Sequence, residues 1–138
     1  MTSRREARRQ AIDVLFQADV THRDPRAVLA EWLEAGERLS GFARELVEGV
    51  AANREDIDEL LASHAEHWTV DRMATLDRNI LRVACFELLH RPDVPPGVAV
   101  NEAVETAKEL STEDSGRFVN GVLGRIAGGR RTIATNDL

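Results

Sequence analysis

Apolar residues return every three or four positions along most of this chain, the spacing that gives an α-helix one apolar face. Ala7, Ala11, Val14, Leu15 and Ala18 share such a face and predict a first helix over about residues 3–20. Asp24 followed by Pro25 has the form of an N-cap with proline at the first helical position, and Val28, Leu29, Trp32 and Leu33 then align until Gly36. Ser40 begins a longer predicted helix carrying Phe42, Leu46, Val47, Val50, Ile57, Leu60 and Leu61 to about His64. Gly49 sits inside it at a cost of about 1 kcal/mol relative to Ala.

After a short link around Trp68 and Thr69, the run Leu76, Ile80, Leu81, Val83, Ala84 and Leu88 is apolar around most of its circumference, as in a central buried helix. Arg91-Pro92-Asp93-Val94-Pro95-Pro96-Gly97 must turn, because proline removes donors and restricts the residue before it. Val98, Val100, Ala103, Val104, Ala107 and Leu110 mark the next helix, and Phe118, Val119, Val122, Leu123 and Ile126 a last one ending at Gly128-Gly129. Strand-like alternation never persists. The pattern predicts one all-α domain of about six or seven helices over residues 1–129, with residues 130–138 a flexible C-terminal tail. Periodicity leaves open whether the helices divide into subbundles.

Composition narrows the picture. A chain of 138 residues that is 43% hydrophobic can bury a core of its own, and with 4% aromatics and no Tyr that core must rest on aliphatic side chains and Ala. A net charge of -6 argues against general coating of nucleic acid, so any site for a polyanion must be local. Cys85 is the one cysteine, which excludes an intramolecular disulfide and a cysteine-based zinc site. His22, His64, His67 and His90 are scattered without zinc-like spacing, so no metal is expected. No apolar run approaches a membrane span or a signal peptide, and a cytoplasmic location is the simple expectation.

Against that acidic background, residues 4–10 hold four arginines and one glutamate. Arg4 with Arg8 and Arg5 with Arg9 repeat at i, i+4, so a helix would gather them on one cationic edge able to meet successive phosphates, and guanidinium planes also stack on unpaired bases. A solvated basic helix end is the plain alternative. An enzyme would need a nucleophile with a base, a carboxylate pair, a phosphate loop or a cofactor motif. None is present: the acidic run Glu55 to Glu59 spreads around a helix, and Gly128-Gly129 has neither a strand before it nor a phosphate-loop lysine after it.

Two longer segments add a family likeness. The run Leu76 to Leu88 (Leu-Asp-Arg-Asn-Ile-Leu-Arg-Val-Ala-Cys-Phe-Glu-Leu) is followed, after the proline-rich turn, by Val100 to Lys108 (Val-Asn-Glu-Ala-Val-Glu-Thr-Ala-Lys). With Phe118-Val119-Asn120-Gly121-Val122-Leu123 and the arginine-rich start, they resemble the NusB family in order and spacing as far as about Ile126. The resemblance implies two packed three-helix subbundles sharing a core. It also implies a transcription antitermination factor that binds the boxA element of nascent ribosomal RNA together with NusE, a small-subunit ribosomal protein. The wider partners it implies are RNA polymerase and other Nus factors, with no cofactor, and a homodimer stays open.

Residue by residue, Arg4, Arg5, Arg8 and Arg9 match the family's arginine-rich RNA-binding motif, and Phe16 matches an aromatic position on the same helix. Phe118 matches an aromatic near RNA, and Asp114 an acidic position whose charge influences RNA affinity. Asp77 matches an acidic residue facing NusE, with Arg78 beside it as an exposed charged pair on an otherwise apolar helix. Read alone, Phe118 suits a core, Asp114 a helix cap and Asp77 a solvated first turn. Glu6 and Asp13 depart from the family pattern, since carboxylates beside phosphates weaken binding. An RNA-binding accessory domain of ribosomal RNA cytosine methyltransferases also resembles this family, but the chain is expected to be too short for its methyl-donor domain. A non-catalytic helical scaffold or dimeric interaction module, acting for instance in ribosome assembly, is the alternative.

Overall fold

The computed structural model describes residues 3–66 and 68–136, with side chains to residue 129. Among them are seven α-helices and no strand: α1 (Arg4–Val20), α2 (Pro25–Glu34), α3 (Gly41–Ala52), α4 (Arg54–His64), α5 (Thr75–His90), α6 (Pro96–Leu110) and α7 (Glu113–Asn136). A single 3-10 turn, Val70–Arg72, precedes α5. His67 of the scattered histidines lies outside the described residues, as do the side chains of the predicted tail.

Local chemistry starts most of these helices. The Ser3, Asp24 and Ser40 side chains accept hydrogen bonds from the amides of Glu6, Arg26 and Ala43, at 3.1, 2.9 and 3.1 Å. Gly36 ends the stretch after α2 at φ 89°, a backbone region open to glycine at little cost.

Two boundaries differ from the periodicity. The long helix expected from Ser40 to His64 breaks at Asn53, whose backbone leaves the helical region (φ -115°, ψ 19°) while its Nδ2 donates to Gly49 O at 2.8 Å. Asparagine competes for backbone partners in this way, and the apolar spacing is continuous across the break, so periodicity alone misses it. The helix expected to stop at Gly128-Gly129 continues to Asn136. Glycine ends a helix only when it enters the left-handed region, and among described glycines only Gly36 does.

The first three helices touch one another, as do α5, α6 and α7, and α4 bridges α3 to α5 and α7. Helix α1 packs on α5 and joins the two groups into one continuous core. The central helix expected from sequence is α5, buried without interruption from Asn79 to Leu88. Gly49 is required by packing: a Cβ there would overlap the Phe86 ring of α5. Val98 and Leu110, near the two ends of α6, remain exposed. No helix among the described residues is long and apolar enough to cross a membrane.

Candidate functional site

Helix α1 brings its four arginines together, but none of them faces solvent without a partner. Arg4 Nη2 donates to Asp93 Oδ2 at 3.0 Å, and its guanidinium lies 4.5 Å from the centre of the Phe42 ring. Arg5 donates through Nε and Nη2 to both oxygens of Glu102, at 3.0 and 2.9 Å. Arg9 pairs with Glu109. Arg8 is buried, with Nε donating to Glu87 Oε1 at 2.7 Å inside the α1–α5 interface. The expected edge of free cations is therefore a row of ion pairs, because α5, α6 and the turn between them lay carboxylates alongside α1.

Burial grades this row. The Arg5 side chain is 61% exposed and that of Arg9 35%, whereas Arg8 and Glu87 are sealed at 8% and 1%. Burial pushes the Glu87 carboxyl up, and Arg8 pulls it back only in part. The Glu102 carboxyl is held below its ordinary range, chiefly by the hydrogen bonds from Arg5, and Asp93 well below by Arg91 and Arg4. Phe16 remains 39% exposed, seven residues beyond Arg9 and so on nearly the same face of α1. Burial raises the Asp13 carboxyl between them, opposed by Arg9.

A groove opens between the segment before α5 and the start of α7. Its walls are Trp68, Arg72, Met73, Ala74, Asp77, Asp114, Ser115 and Phe118, around a cavity of about 420 Å³. Trp68 is half exposed and Phe118 partly buried. Three residues singled out in the sequence, Asp77, Asp114 and Phe118, meet here although 37 positions separate the first two. Glu109, the partner of Arg9, lies in the last turn of α6, and Asp114, in the groove wall, in the first turn of α7.

Asp77 and Arg78 are not the exposed pair expected from sequence. Asp77 is buried, with Oδ2 accepting from Ser115 Oγ at 3.1 Å while its buried Oδ1 has no partner. Burial raises its carboxyl despite the Ser115 bond. Arg78 turns away to grip Asp19 of α1 through Nε and Nη2, at 2.7 and 2.9 Å. Nor does Asp114 cap α7: Thr112 Oγ1 accepts from the Ser115 amide at 3.0 Å, leaving Asp114 exposed and paired with Arg117.

Trp68 and Arg72 were missed as site residues, as were the carboxylates that face α1. An exposed tryptophan in a short link is a signal for the first; nothing local marks the carboxylates. A second groove of about 320 Å³ between α6 and α7, with Asn101 and Asn120 in its wall, has no titratable lining. The Cys85 thiol is buried and pushed up to about 12, so it is unreactive near neutral pH. Among the described residues no cluster of His, Cys, Asp and Glu has metal-holding geometry.

The likeness in sequence extends to whole relatives. The family model described as the NusB family matches residues 5–128. The chain is 53% identical over 131 residues to the transcription antitermination protein NusB of Salinispora tropica, covering 92% of this chain and 96% of that one. With the protein of the same name from Symbiobacterium thermophilum the identity is 47%, over 98% of this chain and 95% of the relative. The fold matches T. maritima NusB with a TM-score of 0.83 at 38% identity, covering 92% of each chain. It also matches a chain in the crystal structure of antitermination factors NusB and NusE in complex with dsRNA, with a TM-score of 0.80 at 29% identity, over 91% of this chain and 96% of that one.

Proposed function

Since this chain belongs to the NusB family, we propose that it is a transcription antitermination factor that binds RNA together with NusE. The RNA is a boxA-like element of nascent ribosomal RNA, the setting is the complex of RNA polymerase with other Nus factors in the cytoplasm, and no reaction is catalysed. The observation that carries this reading is an arginine row on α1, with an aromatic groove at the start of α7, on a chain whose net charge is otherwise acidic.

Arg4, Arg5 and Arg9 contact phosphates, because their guanidiniums reach the surface and can exchange one anion for another. Arg8 acts differently. Sealed against Glu87, it sets the position of α1 on α5 and so aligns the outer arginines. Phe16 and Phe118 offer faces on which unpaired bases stack, each worth about 1–3 kcal/mol. Asp114, exposed at the groove's rim, repels a passing phosphate and tunes affinity.

Asp77 takes a donor from NusE on its unpartnered Oδ1, since a buried acceptor without a bond gains most from being satisfied. Arg78 holds the backbone before α5 in place, through Nη1 bonds of 3.3 Å to the Val70 and Asp71 carbonyls.

The test is a titration of labelled boxA-like RNA and a scrambled control, with and without NusE, at two salt concentrations. Selective binding, strengthened by NusE and weakened by salt, is the expected result. Equal affinity for both RNAs with and without NusE would sink the reading and favour a helical scaffold.

A further inference from the structure

Glu102 and Glu109 stand seven residues apart on α6, nearly on one face, and each occupies an arginine of α1. Glu102 takes both forks of Arg5, the same planar donors that a phosphate would take. These carboxylates come from another helix, brought to α1 by packing rather than by neighbouring sequence. The Arg5 side chain is 61% exposed and that of Arg9 35%, so an incoming anion reaches both guanidiniums without any opening of the core, although Glu102 itself is only 16% exposed. Arg8 and Glu87, one helix turn away, offer no such access.

We propose that Glu102 and Glu109 act as resident anions in the RNA site: a phosphate reaches Arg5 and Arg9 only by displacing a carboxylate. This rests on the RNA reading above and goes beyond it by assigning an affinity-setting role to two residues of α6. Displacement imposes the same penalty on every RNA. Binding held by phosphates alone then becomes too weak to persist, while an RNA whose bases also stack on Phe16 and Phe118 is retained. Each carboxylate, once released, recovers its own cations from solution, which offsets part of the cation release from the RNA.

An exposed ion pair shifts an equilibrium by about two- to fivefold, so removing both pairs should tighten RNA about tenfold. The experiment compares the full chain with its Glu102→Gln/Glu109→Gln variant and with Glu55→Gln/Glu59→Gln, which makes the same change of net charge on α4. Each is titrated with boxA-like and scrambled RNA at two salt concentrations. The expected result is tighter binding of both RNAs by the α6 variant alone, by a similar factor, with a steeper salt dependence. Unchanged affinity in the α6 variant, or an equal gain in the α4 variant, overturns the resident-anion role while leaving the RNA reading intact. Binding by neither the parent nor the α6 variant overturns both. Glu109→Gln alone, at the more exposed glutamate, is the second variant should the double change unfold the chain.

Discussion

Arg8 and Arg5 sit three residues apart on the same helix, each paired with a glutamate of a neighbouring helix, yet the two pairs have opposite consequences. Arg8–Glu87 lies in the seam between α1 and α5, where both charges have lost their water and neither can leave without stranding the other. Arg5–Glu102 lies at the rim, where the 61% exposed guanidinium keeps much of its water and can exchange its 16% exposed carboxylate for another anion. The difference teaches that burial, not residue type, decides whether an arginine of α1 belongs to the fold or to a ligand.

Removing one partner of the buried pair should therefore have the largest effect. Arg8→Ala is expected to cost about 3–5 kcal/mol, lowering Tm by roughly 10–20 °C in thermal denaturation followed by circular dichroism. A fall of only a degree or two would erase the contrast. Arg82→Ala extends the test to the other end of the interface, where Arg82 holds Asp58 through Nε and Nη2 at 2.8 and 3.0 Å and Asp19 through Nη1 at 3.1 Å. It should cost about 3 kcal/mol, measured by urea unfolding, because two carboxylates lose a shared partner.

Titration sharpens the contrast. Burial pushes the Asp19 carboxyl up, but hydrogen bonds from Arg78 and Asn79 together with the charges of Arg78 and Arg82 outweigh it and hold the group down, as Arg5 does for Glu102. A depressed carboxyl contributes stability that is fully present above its unfolded pKa, about 3.9 for Asp and 4.3 for Glu, and lost as pH falls through the folded value. Tm should thus decline below about pH 4, and Asp19→Asn should flatten that decline. Asp77 has the opposite sign, since burial raises its carboxyl. Asp77→Asn should raise Tm at pH 7, with the gain shrinking as pH falls toward 4. In calorimetry the same change should weaken NusE binding.

The smallest stability effect belongs to the rim. Arg5→Ala should barely move Tm, while lowering RNA affinity and reducing the salt slope by about 0.7. A loss of stability as large as that of Arg8→Ala would place Arg5 with the fold instead.

Helix positions, the Asp24 and Ser40 caps, the proline-rich turn and the buried character of α5 all follow from spacing and local propensity, which act over a few residues. The family likeness was legible in contiguous runs, and the arginine row in one helix turn. The break at Asn53 and the passage through Gly128-Gly129 were not, because each depends on which backbone conformation the surrounding packing rewards. The site divides the same way. Sequence alone determined which charges α1 carries. Only the tertiary structure decided that Glu87, Asp93, Glu102 and Glu109 meet them, that Asp77 and Trp68 share a groove, and that Arg8 is enclosed while Arg5 is not. The reason is range: helix periodicity is set by neighbours within four residues, whereas these contacts join residues from 9 to 100 positions apart, and their strength depends on how much water packing removes.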